Sequence, residues 1–353
     1  MSLADTFRRL IRNTGPISLA QFMGESNAQY YSRRDPLGRP TETGGGDFVT
    51  APEISQMFGE LIGLWLADIW IRAGGIEPVH YVELGPGRGT LAKDALRSAK
   101  QYGLVPHVHF VETSPALTVI QRSTVPDAIW HSDLSTVPLT GPVLIVGNEF
   151  LDALPVRQLV RTTDGWRERM VGLADDAFGF VAGMQPMDAA VPAPMRNAEP
   201  GTILETCPAA AAILYEIAGR LAGQGGAALL IDYGHNDMRA GSTLQAVRAH
   251  QKVDPLATPG EADLTALVDF ATLARIAQSR DAVHMGTVTQ GDWLRAMGIE
   301  VRAEQLAQKA PQYRDELMAA KERLIAPDQM GELFKVMGLG APGWPEGAGF
   351  APE

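Results

Sequence analysis

YVELGPGRGTL, residues 81–91, decides how this chain is read. A short apolar run ends in an acid, Glu83, and then in glycines at 85, 87 and 89. Strand, glycine turn and helix in that order form the first unit of a doubly wound sheet. Such sheets bind ligands beyond the C-terminal ends of their strands. Glycines there reach positive φ and let a ligand approach the backbone. The helix after Gly89 offers unpaired N–H groups. A dinucleotide turn is spaced G-x-G-x-x-G/A and cradles pyrophosphate. Here the spacing is G-x-G-x-G, with Thr90 in place of the third small residue. Glu83, two residues before Gly85, suits a cationic ammonium better than a diphosphate. S-adenosylmethionine (SAM) has that ammonium and no phosphate. An NAD-dependent oxidoreductase on the same fold is the rival that this spacing disfavours.

Downstream, strands and helices alternate. Residues 79–84 form the first strand, and Leu91, Ala95 and Ala99 mark one face of the next helix. HVHFVE (107–112) is a second strand, followed by a helix with Ser114 as N-cap and Pro115 behind it. AIWH (128–131), VLIVGNE (143–149) and AALLIDYG (227–234) add three more, the last preceded by a helix over about 208–222. Strands apolar along their whole length, alternating with helices, predict a parallel sheet covered on both faces. Glu112, 23 residues beyond Gly89, ends the second strand and is placed for the two ribose hydroxyls of an adenosine. Asp133 and Leu134 follow the third strand, where an acid meets the adenine amino group.

Upstream, residues 1–23 read as an amphipathic helix that ends near Gly15, followed by a polar loop over 30–50. The next run, to Gly74-Gly75, reads as one helix started by a Thr50/Glu53 capping box with Pro52 in its first turn, and buried on most sides. VRQLVRTTDGWRERMVG predicts a hairpin around Asp164-Gly165. Residues 241–270 look loop-rich, and the last third looks mostly helical, closing on QMGELFKVMGL. The expected division is 1–75 for N-terminal helices and a cofactor-covering loop, 151–202 for an antiparallel insertion, and 76–150 with 203–353 for a Rossmann-like domain.

A net charge of −11 argues against nucleic acid as a general partner, because phosphate binding needs a basic field. The single cysteine, Cys207, cannot form an internal disulfide and suits a reducing compartment. No run approaches the 18–20 apolar residues of a membrane span. No metal is expected: there is no H-E-x-x-H pair, and one cysteine builds no zinc cluster. No Walker-type nucleotide motif occurs.

The chain resembles the MidA-like SAM-dependent methyltransferases, whose mitochondrial relatives are arginine methyltransferases that assist assembly of respiratory complex I. The likeness covers nearly the whole chain. It rests on YYSRRDPLGRP with GDFVTAPEISQMFGELIG, on VELGPGRGTL, VETSP and GNEFLDALPVRQ, and on LLIDYGH, HQKVDPLATPGEADLTALVDF and MGELFKVM. The glycine turn is generic to SAM enzymes; the N-terminal block, NEFLDALP and PGEADLT are more specific. The loop before Gly46-Asp47 is longer than the compact form. The resemblance implies the class I methyltransferase sheet with insertions, and SAM as cofactor. It further implies methyl transfer to a protein arginine, a complex I subunit as partner, and a bacterial cytosol or mitochondrial matrix location. A non-catalytic SAM-binding assembly chaperone is the alternative.

Methyl transfer from a sulfonium is an in-line displacement, so the protein mainly aligns donor and acceptor and excludes water. Guanidinium is a poor nucleophile, and carboxylates must fix its plane and localise its charge. Asn148-Glu149 ends the fourth strand and Asp152 follows. Glu149 and Asp152 are expected to hold the acceptor. Tyr233 is placed to wall its channel, and His235 to take a proton. Tyr31, Arg34, Asp47 and Glu53 belong to the N-terminal block expected to cover the cofactor, Asp47 as a cofactor contact and Tyr31, Arg34 and Glu53 as substrate contacts. Glu261 and Asp263 are expected contacts for a basic substrate segment.

Overall fold

A computed structural model of the protein describes residues 2–33, 49–248 and 251–350. The chain forms two compact units. The first comprises Met1–Arg34, Asp152–Ala212 and Asp237–Asp269; the second comprises Asp35–Leu151, Ile213–Asn236 and Phe270–Glu353.

The first unit is built on an antiparallel sheet. Arg157–Thr162 and Gly165–Ala174 pair around Asp164-Gly165, as the hairpin signal predicts. Ala177–Pro186 extends the sheet on one side and Ile203–Thr206 on the other. Helix α1 (Leu3–Thr14) starts at a capping box between Ser2 and Asp5 and stops at Gly15, whose φ is 83°. Its Phe7 stacks on Phe22 of α2 (Leu19–Arg33) with ring centroids 4.9 Å apart, and Phe178 of the sheet meets both edge-on. These rings close a core with Ile11, Met23 and Val171. Burial of that aromatic face ties α1 and α2 to the insertion, so the first unit takes in residues up to 34 and not 75, while the insertion expected from 151 begins within one residue of the unit boundary and runs past 202 to Ala212. Residues 241–270 also hold more structure than expected. Gln245–Arg248, Gln251–Val253 and Asp263–Thr265 form a three-stranded sheet.

The second unit carries the main sheet. Its strands are β1 (His80–Leu84), β2 (His107–Val111), β3 (Ile129–His131), β4 (Val143–Asn148), β5 (Gly226–His235), β6 (Val283–Thr289) and β7 (Phe334–Gly340). Along the main path the order is β3-β2-β1-β4-β5-β7-β6. The first five are parallel, and β7 runs antiparallel to β5 and β6. The order reverses between β1 and β4, which opens the crevice beyond their C-terminal ends. The closing stretch read as helical is therefore partly strand β7. Val336, Met337 and Leu339 are buried between two neighbours, and a short apolar run does not by itself distinguish strand from helix.

The helix expected from residue 50 is broken. Helix α3 (Ala51–Ile54) ends at Ser55, whose extended backbone then caps α4 (Gln56–Arg72) through its hydroxyl. The Thr50/Glu53 capping box does not form, because Glu53 bonds elsewhere. Helix α4 is buried on most sides, as its pattern predicts. It meets α5 (Thr90–Lys100) across Gly59 and Gly63. A Cβ on Gly63 would lie 2.1 Å from the Ala95 carbonyl oxygen. Gly63→Ala is therefore expected to destabilise the protein by about 3 kcal/mol, read as a lower urea midpoint with unchanged slope.

Candidate functional site

The glycine turn has the backbone its sequence requires. Gly85, Gly87 and Gly89 have φ of 62°, 53° and 78°. Gly89 caps α5 in the left-handed conformation with no side-chain bond to the first-turn amides. Beneath the turn, Glu83 is 2% exposed. Tyr81, also buried, donates its hydroxyl to Glu83 Oε2 at 2.6 Å. Burial pushes the Glu83 carboxyl up to about 8, against the opposing pull of that hydrogen bond. A carboxyl buried at the mouth of a strand, and bonded among the described residues to a hydroxyl and not to a cation, is suited to an ammonium arriving from the crevice.

Glu112 follows β2. Its Oε1 accepts the Ser114 amide at 2.7 Å and its Oε2 accepts Gln121 Nε2 at 2.9 Å. A carboxylate has about four acceptor sites, so capacity for a ribose diol remains. Burial raises its pKa, and the Ser114 and Gln121 bonds oppose that. Gln121, on α6 (Pro115–Thr124), was not among the expected residues. It is fully buried. Its amide also donates to the Gly87 carbonyl at 2.8 Å, and its Oε1 accepts the Trp130 indole N–H at 2.9 Å. One side chain thus joins the glycine turn, Glu112 and β3. Its signal in the sequence is a polar residue four places after Leu117, on the helix's buried face. Asp133 is exposed, and its Oδ1 accepts the Ser135 amide at 2.8 Å. Its charge is favoured by its Ser135 side-chain and backbone bonds, which lower its pKa. Leu134 is buried and opens the short turn Leu134–Thr136.

At the end of β4, Glu149 adopts a φ of 51°, uncommon for a residue with a side chain. Its amide donates to the Ile231 carbonyl at 2.9 Å, continuing the β4–β5 ladder. Its Oε1 accepts the Ala51 amide at 2.8 Å and Asn148 Nδ2 at 3.0 Å. Phe150 folds back beneath this segment. A Cβ on Gly147 would lie 2.5 Å from the Phe150 ring, and one on Gly85 3.0 Å from its Cβ. Asp232 is fully buried and accepts the Leu151 and Tyr233 amides, each at 2.9 Å. Tyr233 is half-buried with its ring edge-on to Phe334, and half-buried His235 ends β5. Glu53 accepts the Thr90 hydroxyl at 2.6 Å and lies 3.7 Å from the Arg88 guanidinium, which makes it a buttress of the glycine turn.

The first unit gathers a second set. The hydroxyl of half-buried Tyr31 donates to Asp263 Oδ1 at 2.9 Å. Burial, then the charges of Asp263 and Asp152, raise the tyrosine's pKa well above its usual range. Asp152 and Asp263 are both buried. Asn27 of α2 holds this corner, donating to the Ala153 and Leu264 carbonyls at 2.9 and 2.8 Å and accepting the Leu264 amide at 3.0 Å. Glu261 stands apart in an exposed ion pair with Arg248 at 3.0 Å. Asp152 therefore belongs to one unit and Glu149 to the other. Arg34 and Asp47 lie outside the described residues.

Comparison with known proteins agrees with the geometry. Residues 61–288 match the family described as "Putative S-adenosyl-L-methionine-dependent methyltransferase". The chain is 38% identical to the Mus musculus protein named protein arginine methyltransferase NDUFAF7, mitochondrial, across 93% of this chain and 82% of that one. Its Homo sapiens counterpart is 37% identical, with 93% and 81% covered. A Burkholderia thailandensis crystal structure bound to S-adenosyl-homocysteine superposes with a TM-score of 0.84 at 28% identity, covering 99% of this chain and 94% of that one.

Proposed function

This chain belongs to the SAM-dependent methyltransferase family, and from that premise we propose that its methyl acceptor is an arginine side chain of a protein. When bound, the cofactor supplies a methyl group already activated on a positively charged sulfur. Glu83, the glycine turn, Glu112 and the Asp133–Leu134 segment are the residues that would hold it. The observation that carries the acceptor reading is Glu149. Its strained backbone and two hydrogen bonds fix a carboxylate at the end of β4, on the site side of the sheet. A carboxylate fixed there would hold a guanidinium plane and draw its charge away from the attacking nitrogen. Asn148 orients that carboxylate. The attacking nitrogen must shed a proton, and His235 is the acceptor we assign. Tyr233 would wall the channel and exclude water. In the first unit, Tyr31, Asp152 and Asp263 would receive positive charge from the substrate.

The finer identity of the substrate, a subunit of respiratory complex I, rests on the family resemblance. The compartment we assign is correspondingly the bacterial cytosol or the mitochondrial matrix, in keeping with a single cysteine. Among the described residues no helix is long and apolar enough to cross a membrane. The test is transfer of labelled methyl from SAM into a lysate of cells lacking this protein. Mass spectrometry should find the label on an arginine; label confined to other residues, or to small molecules, would refute the reading. A second reading has its own observation: Glu149 caps α3, as it would in a binding protein that performs no transfer.

A further inference from the structure

Three histidines of the second unit have no part in the site so far. His80 on β1, His109 on β2 and His131 on β3 share one face of the sheet. His80 is in register with His107, Val82 with His109, and Val111 with His131, so each ring is two residues ahead of its neighbour's partner. The rings bond to one another. His80 Nδ1 lies 2.9 Å from His109 Nε2, and His109 Nδ1 lies 2.9 Å from His131 Nε2. At the ends, His80 Nε2 is 2.8 Å from the Thr140 carbonyl and His131 Nδ1 is 2.8 Å from Thr136 Oγ1.

The hydrogens of this chain are determined by its ends. A carbonyl only accepts, so His80 donates from Nε2. Neutral His80 then accepts at Nδ1, which makes His109 donate from Nε2. By the same step His131 donates from Nε2, and the Thr136 hydroxyl donates to His131 Nδ1. Every bond holds one hydrogen and every ring is neutral. One more proton fits without loss. Wherever the charge settles, hydrogens shift along the chain until His131 carries an N–H on Nδ1. Thr136 then accepts, and its own hydrogen turns toward the Asp133 carbonyl, 3.4 Å away. A second proton would set two N–H groups face to face.

We propose that His80, His109 and His131 are positioning residues for the cofactor: their chain takes up one proton as a unit, and Thr136 passes that change to the Asp133–Leu134 turn. The proposal rests on the reading that this turn meets the adenosine. Burial lowers the pKa of all three rings, that of His109 to about 4. The titratable and charged groups facing the chain are few. The His107 ring lies 5.5 Å from that of His80. Asp133 and Arg220 act on His131, Asp133 favouring its proton and Arg220 opposing it. The Arg220 guanidinium donates to the Leu134 and Val137 carbonyls and pairs with Glu216 at 3.3 Å. When Thr136 turns its hydrogen to the Asp133 carbonyl, the turn is drawn away from the geometry in which the Asp133 carboxylate meets an adenine amino group. Adenosine affinity therefore falls in acid.

Nitrogen-15 NMR of the full chain tests the first half. At pH 8 all three rings should show the Nε2–H tautomer, and on acidification they should respond with one shared midpoint. An Nδ1–H tautomer at pH 8, or three separate midpoints, would overturn the chain. For the second half the probe is 5′-methylthioadenosine, which lacks the ammonium that Glu83 would sense. Its affinity should fall about tenfold across the NMR midpoint. Thr136→Val, an exposed change that removes only the last link, should bind more weakly at pH 8 and lose that fall. A Thr136→Val variant with the wild-type pH profile would overturn the inference and assign the fall to Glu112. Asp133→Ala separates the two claims. If it leaves binding unchanged, the reading of the turn fails. If it weakens binding while wild-type affinity ignores pH, this inference alone fails.

Discussion

Glu83→Gln is expected to weaken S-adenosylhomocysteine binding about a hundredfold while stabilising the free protein at pH 8. The two effects have opposite signs because the same burial causes both. In the free protein, burial drives the Glu83 carboxyl to about 8, and Tyr81 offers a hydroxyl rather than a charge. A ligand ammonium needs the carboxylate, so binding expels a proton. Wild-type affinity should then rise by up to tenfold per pH unit toward about pH 8 and level off above it. The glutamine variant should bind weakly with a flat profile. For folding, a carboxyl whose pKa is raised favours the native state below its unfolded value, near 4.5. That contribution is lost as pH rises through about 8. Glutamine has no such titration, so the variant should melt higher than wild type at pH 8 without ligand. Calorimetric titration and thermal melts read the two quantities separately. Equal affinity for both proteins at pH 7.5 would remove Glu83 from the cofactor site.

Glu149→Gln is expected to cut methyl transfer to protein about a thousandfold and leave S-adenosylhomocysteine affinity near the wild-type value. The substitution keeps the Oε1 that accepts from Ala51 and Asn148, so the cap on α3 survives. What it removes is the negative charge that would hold a guanidinium. The measurement is single-turnover transfer from labelled SAM, with binding checked in parallel. A variant that transfers at the wild-type rate would leave Glu149 as a helix cap and favour the chaperone reading.

The main elements of the parallel sheet and its glycine turn were legible because their signals are local. Gly85, Gly87 and Gly89 announce positive φ by composition, and all three adopt it. The parallel strands are marked by short runs rich in apolar residues that alternate with helices, and Asp164-Gly165 marks its hairpin. Other features depend on partners distant in the chain. Glu53 satisfied a capping-box spacing, yet its carboxylate goes to Thr90, 37 residues on. Phe334–Gly340 was an ambiguous apolar run until β5 and β6 flanked it. Gln121 was an ordinary polar residue of a helix, and only burial shows that it joins the glycine turn to Glu112.

From the order of its residues alone, this chain prescribes a doubly wound sheet with a glycine turn after its first strand, and points to a phosphate-free cofactor. Backbone freedom at glycine and the placement of an acid act within a few residues of each other, so no folding is needed to read them. Which carboxyl is buried, which is bonded and which proton moves is decided only in three dimensions. Desolvation and hydrogen bonding join groups that are remote in sequence: Tyr81 beneath Glu83, Ala51 against Glu149, and three histidines brought into contact by strand register.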